Sequence, residues 1–238
     1  MGHLMRCLDF ASYALEKGVN SVFLTSTISA KKKVAGKGFE CIKIDTNYEI
    51  ALKEIKRQKN NYSSKIILLD INYCSTVDQR HAYFNFLQGL ERLHLLLISF
   101  EDLSNQVSPA DIVIIPYIRA DLLKFKKKEG SRYLMSPKYF PVREEFINVS
   151  KKQFPRNVEN ILITMGGSDP NQITIKVVKA LMKLKFKVHL IIVLGSLSQT
   201  STEQIEKLLS NFSGSFEVIK DAQNMAKLMS ESQLAITN

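Results

Sequence analysis

Asn160-Ile161-Leu162-Ile163-Thr164-Met165-Gly166-Gly167-Ser168-Asp169-Pro170-Asn171-Gln172-Ile173-Thr174-Ile175 is the stretch whose reading decides the fold. It opens on an unbroken apolar run rather than an in-and-out alternation, the pattern of a parallel strand buried on both faces. Two glycines then free the backbone for tight turning, and Ser168 or Asp169 can cap the next helix. From Ile173 the apolar positions recur at helical spacing. A strand, a glycine-rich loop and a helix in that order mark the place where open α/β sheets hold phosphates, at the carboxyl ends of their strands. The loop is neither a Walker loop nor GxGxxG, so a plain glycine turn with a capped helix is the competing reading.

The same rhythm runs through the rest of the chain. Further strands are expected over 21–25, 41–44, 65–69, 95–100 and 111–115 before this stretch, and over 187–194, 216–219 and 234–237 after it. Helices are expected over 4–17, 49–59, 78–92, 173–185, 202–209 and 224–229. Short apolar strands alternating with amphipathic helices give βαβ units and parallel sheets. Residues 121–154 break the rhythm and read as a connection between two Rossmann-like halves, with Tyr139 and Phe140 as its core anchors. No strand precedes the first helix, and the last strand runs to the end of the sequence, so the chain is expected to be a fragment.

Composition agrees with a folded globular chain. The 238 residues are 45% hydrophobic and 24% charged, which excludes disordered and collagen-like classes and allows one to two domains. Three cysteines, Cys7, Cys41 and Cys74, without a CxxC pair, fit reduced thiols better than a disulfide framework or zinc site. No apolar stretch approaches the roughly 18 residues of a membrane span, and no signal peptide is evident. The expected location is the cytoplasm.

The net charge of +10 is unevenly spread. Residues 121–160 hold 10 basic against 5 acidic residues, half of the surplus, centred on Lys124, Lys126, Lys127, Lys128 and Arg132. A nucleic-acid groove would distribute such charge and interleave aromatics. The compact run reads first as a solvated face, then as a weak contact with an anionic membrane, and least as a nucleic-acid site.

Four local features carry chemistry. Gly2-His3 sits at the start of a helix, where free N–H groups and close backbone approach can hold an anion and His3 can serve as a proton acceptor. The bland alternative for His3 is a partly exposed turn residue. The Gly166–Asn171 loop is the second feature. The third is Asp70-Ile71-Asn72-Tyr73 after a strand, where Asp70 and Asn72 read as a turn before a site. The fourth, Glu101-Asp102, sends adjacent carboxylates to opposite faces, a poor acid/base pair. His81, His94 and His189 have no metal-ligand spacing and read as packing residues.

Taken together, these pieces resemble a known family. Gly2-His3-Leu4-Met5-Arg6-Cys7-Leu8, with Ala11 one turn on, resembles the GHxxRCLxLA signature of PseG/SpsG-type proteins, the UDP-sugar hydrolases of pseudaminic acid synthesis and their spore-coat polysaccharide relatives. Tyr133-Leu134, Pro137-Lys138-Tyr139 and Arg143-Glu144-Glu145-Phe146 are similar to that family's interdomain stretch. Gly166-Gly167-Ser168-Asp169-Pro170-Asn171 with Thr174 resembles its GGSDPxNxT loop, and Asn224-Met225-Ala226 with Leu234-Ala235-Ile236 its next segment. The sequence departs from the family in having Ser136 for an interdomain glycine, no strand before the Gly-His pair, and none of the glycine-rich turn that the family carries beyond the position of Asn238.

The resemblance implies an α/β, GT-B-like fold of two Rossmann-like domains with parallel sheets, over 1–136 (first strand missing) and 137–238 (truncated). It implies a hydrolase that removes UDP from a UDP-activated deoxy-diacetamido sugar by attack of water at the anomeric carbon, with no metal or cofactor. His3 would be the general base, and Gly2, Arg6, Tyr73, Gly166, Gly167, Ser168, Asp169 and Asn171 would contact substrate. The alternative is a GT-B glycosyltransferase of polysaccharide synthesis, since a sugar hydroxyl can replace water in one site. A basic interaction module without catalysis is the third reading.

Overall fold

The structure, a computed structural model, describes residues 2–71, 77–100, 107–123, 126–149, 157–183 and 187–238. The chain forms two units, Met1–Pro141 and Val142–Asn238, each built around parallel strands with helices on both faces.

The first unit begins with helix α1 (Gly2–Glu16), followed by β1 (Val22–Thr25), α2 (Ile28–Ala35) and β2 (Glu40–Lys43). Then come α3 (Tyr48–Tyr62), β3 (Ile66–Leu69), α4 (Val77–Glu91), β4 (Leu96–Phe100), β5 (Ile112–Ile115) and β6 (Arg132–Met135). β1 pairs with β2 alone, whereas β3, β4, β5 and β6 form a second parallel sheet in that order. The start of α3 is fixed by Asn47, whose Oδ1 accepts from the N–H groups of Glu49 and Ile50, satisfying two otherwise orphaned donors. Strand alternation divides β4 between two faces. Leu97 joins Ile55 of α3 and Phe86, Leu87 and Leu90 of α4 in one core, and Phe100 meets Phe10 of α1, edge to face at 5.2 Å.

The second unit holds α5 (Glu144–Ile147), β7 (Asn160–Thr164), α6 (Ile173–Leu181), β8 (His189–Leu194), α7 (Thr202–Leu208), β9 (Ser215–Lys220), α8 (Met225–Glu231) and β10 (Leu234–Thr237). Its sheet order is β10-β7-β8-β9, all parallel. Ile161 and Ile163 with Leu190, Ile192 and Leu194 face Val178 of α6 and Ile205 of α7. The intervening Leu162, Ile191 and Val193 face Leu228 of α8. Both faces of β7 and β8 are therefore dry, which is why these strands are continuously apolar.

Several expectations change. Residues 121–154 are not only a connection: β6 lies within them and pairs with β5 from Ile112↔Arg132 to Ile115↔Met135. Its side chains are only partly buried, so it lacks the apolar run that marks its neighbours. α2 adds a helix that the apolar spacing does not announce, because Val34 is its one buried residue; Thr27 caps it by accepting from the N–H of Ala30. Phe140 is no core anchor, being 50% exposed. His81 and His94 are exposed rather than packed, and His189 pairs at the surface with Ser215, Nδ1 to Oγ, at 2.8 Å. Within the lysine run, Lys128 is not simply solvated: its Nζ reaches Glu91 Oε1 at 2.7 Å and the Pro109 carbonyl at 2.9 Å. Lys124, Glu101 and Asp102 lie outside the described residues.

Candidate functional site

The first group of site residues is assembled by α1 and the end of β3. His3 and Arg6 are three apart on α1 and so share one helix face. Asp70 comes directly after β3, at the carboxyl edge of the sheet. Arg6 donates twice to it, Nε to Oδ2 at 2.6 Å and Nη2 to Oδ1 at 2.7 Å. His3 Nδ1 lies 2.5 Å from Asp70 Oδ1, and the Cys7 thiol points at Oδ2 from 3.8 Å. The Asp70 side chain is 1% exposed, that of Arg6 9% and that of His3 36%, so the group runs from a buried carboxylate to an accessible imidazole.

Other contacts hold the cluster in place. The Arg6 guanidinium stacks over the Phe100 ring at 4.6 Å, adding a cation–π contact to a bidentate ion pair. Burial, then the neighbouring Asp70 charge, pushes the Cys7 thiol up to about 12, so Cys7 donates a weak hydrogen bond and is no nucleophile near neutrality. Arg6, expected among the substrate contacts, is turned to the protein's own carboxylate. Gly2 is different: among the described residues a Cβ there would meet nothing within 4 Å, so no described neighbour demands a glycine. Tyr73 lies outside the described residues, as does Asn72.

The second group is the loop from β7 to α6. Gly166 has φ +70°, Asp169 +40° and Gln172 +50°, an accumulation of left-handed residues of the kind that proteins keep where function or a tight turn requires it. Asp169 accounts for the loop's shape. Its Oδ1 accepts from the Ile173 N–H at 2.8 Å and its Oδ2 from the Thr174 N–H at 3.0 Å. Burial pushes its carboxyl up, but the hydrogen bonds from the Thr174 backbone and hydroxyl and the Ile173 backbone outweigh it and, with Lys176, hold it below its ordinary value. The carboxylate of Asp169 is thus occupied by the start of α6. Gly166, Ser168 and Asn171 are exposed.

One further residue of this group is not apparent from sequence. Gly195, just after β8, lies so close to the carbonyls of Gly166 and Gly167 that any Cβ would collide with them. The Leu197 N–H donates to the Gly167 carbonyl at 2.9 Å, latching the two loops together. The signal is a lone glycine at the end of an apolar strand, which reads as an ordinary turn until its neighbour is known. Among the described residues there is no cluster of three or more His, Cys, Asp or Glu able to hold a metal ion. Cavities of about 530 Å³ by Asn148, Asn224 and Lys227 and about 500 Å³ by Lys43, Asp45 and Glu54 include neither group, so side-chain chemistry rather than cavity size defines the site.

Two units of parallel strands flanked by helices, with singled-out residues at the carboxyl ends of β3 and β7, make an α/β fold that matches the GT-B fold of solved glycosyltransferases. The solved structures it resembles include MurG of Acinetobacter baumannii, with a TM-score of 0.64 and 15% identity over 99% of this chain and 69% of that one. A glycosyltransferase from Rickettsia africae gives a TM-score of 0.60 at 14% identity, over 98% of this chain and 68% of that one. In sequence, the chain is 30% identical to the uncharacterized protein MJ1062 of Methanocaldococcus jannaschii, over all of this chain and 49% of that protein. The chain thus spans about half the length of the curated relative it matches. No family model matches it. Among the described residues no helix is long and apolar enough to cross a membrane.

Proposed function

We propose that the protein is a nucleotide-sugar enzyme that transfers the sugar of a UDP-linked donor to an acceptor hydroxyl, with His3 as general base. The observation that carries this reading is the accessible imidazole of His3, anchored through Nδ1 to the buried Asp70 at 2.5 Å. An anchored imidazole with one free nitrogen is what proton removal from an acceptor needs. His3 takes the acceptor proton as the acceptor oxygen bonds to the anomeric carbon. The bond from that carbon to the β-phosphate oxygen breaks, and its electron pair leaves with UDP. The likeness to glycosyltransferases in fold supports this choice of acceptor.

In the first unit the space at Gly2, and in the second the exposed backbone at Gly166, Ser168 and Asn171, are each open to a phosphate or a sugar. Asp169 serves this loop through its shape, since its carboxylate is taken up by α6. Hydrolysis is the second reading, supported by the resemblance of Gly2–Leu8 to the signature of the UDP-sugar hydrolases; water then replaces the acceptor hydroxyl, and the pseudaminic acid route becomes the context.

Measuring UDP release from UDP-sugars with and without added acceptors separates the two. Release that requires an acceptor supports transfer, and full release in water alone supports hydrolysis. His3→Ala should lower turnover about 100-fold or more while leaving UDP binding by calorimetry nearly intact. Parental turnover in that variant would remove His3 from the mechanism.

A further inference from the structure

Asp70 does more than tie α1 to the sheet. Its two oxygens receive four donors: Oδ1 faces His3 Nδ1 and Arg6 Nη2, and Oδ2 faces Arg6 Nε and Cys7 Sγ. A carboxylate offers about four lone-pair sites, so this one is fully used. Arg6 is always protonated and can only donate, and its fork on both oxygens requires acceptors at both. Arg6 Nη2 also lies 3.2 Å from His3 Nδ1. That contact is longer than the 2.5 Å to Oδ1, and an oxygen that only accepts needs a donor opposite it, so the hydrogen on the 2.5 Å line belongs to the imidazole.

We infer that Asp70 is a positioning residue that fixes His3 as the Nδ1–H tautomer, leaving the Nε2 lone pair as the proton acceptor; the catalytic part of this inference rests on the reading of His3 as base. A neutral imidazole carries one N–H, so a proton held at Nδ1 empties Nε2, on the side of the ring away from the buried carboxylate. When Nε2 takes the acceptor's proton, Nδ1 keeps its own, and the ionised Asp70 beside it stabilises the imidazolium that forms. Both Asp70 oxygens already face Arg6 donors, so the proton stays on the ring. Arg6 therefore acts at one remove, by keeping both oxygens acceptors.

Asp70→Asn is the discriminating change. The carboxamide has one acceptor atom: with its oxygen on Arg6 Nε at the Oδ2 position, its NH₂ stands at the Oδ1 position beside His3 and can only donate. Nδ1 must then accept and the proton moves to Nε2, giving an imidazole that cannot act as base although nothing has changed shape. Nitrogen-15 spectra of His3 in alkaline buffer read this directly. In the parent protein Nδ1 should give a protonated, pyrrole-type shift and Nε2 a pyridine-type shift, and in Asp70→Asn the two should exchange. Turnover in UDP release should fall by the factor lost in His3→Ala, about 100-fold or more, because a wrong tautomer disables the same base, with KM little altered. Adding His3→Ala to Asp70→Asn should cost nothing further, because the two act as one unit. A parent spectrum with Nε2 protonated would overturn the inference, and needs no variant to fold. Parental turnover in Asp70→Asn beside an inactive His3→Ala would overturn it as well. Parental turnover in His3→Ala would instead reject the base itself, while the nitrogen shifts still decide the tautomer.

Discussion

Arg6 and Asp70 illustrate how much a single pair can govern. Both are nearly dry, so removing one leaves an uncompensated charge in a low-dielectric site. Arg6→Leu should destabilise the first unit by about 3–5 kcal/mol, read from urea unfolding, whereas a surface substitution such as Arg57→Leu, at a side chain 65% exposed, should leave the unfolding midpoint nearly unchanged. Cys7 gives a second test. Its thiol is raised to about 12, and the thiolate is the reactive form. Alkylation of Cys7 should therefore be negligible in the folded protein at neutral pH, rise only as the pH nears that value, and become fast on denaturation, as mass spectrometry of labelled peptides would record. His3 and Arg6 are visible in sequence because they share a motif. Asp70 is visible only as a turn former: the residues that use it are 64 and 67 positions away, and nothing in the local pattern Asp70-Ile71-Asn72 points to them.

The loop between β7 and α6 shows a local pattern legible in place but incompletely in role. Its glycines, turn formers and capping groups are plain from Gly166 to Asn171, and β7 and β8 are plain because both faces are dry. That Asp169, rather than Gln172 at the cap position itself, holds the first amides of α6 depends on left-handed backbone that a sequence does not display. Asp169→Ala should cost about 1–2 kcal/mol, as loss of a cap does. The acid side comes from its carboxyl being held below the ordinary value. Its contribution is present above the ordinary carboxylate range and is lost as pH falls through the lowered value, so Asp169→Asn should flatten the decline of second-unit stability in strong acid. Gly166→Ala, forced to keep φ near +70°, should cost about 1–2 kcal/mol and be detected as a lowered Tm. β6 and α2 escape for the opposite reason: a partly exposed strand at the end of its sheet and a helix burying one residue leave little hydrophobic trace.

Each unit keeps its own hydrophobic interior, and destabilisation should respect that division. Hydrogen exchange measured by mass spectrometry should find Arg6→Leu loosening α1 and β3 while β7 and β8 remain protected, and Asp169→Ala doing the reverse; a variant that loosens both equally would show that the units melt together. The parallel architecture is legible in sequence because alternation of element types survives any local misreading. Which helices face which side of a sheet is not, since that depends on strand order and register. The collision site at Gly195 carries the last consequence. Two main chains touch there with no side chain between them, so a saturation library at that codon, selected only for soluble expression, should return glycine almost alone. The same library at Gly2 should accept alanine and serine freely, losing them only under selection for turnover.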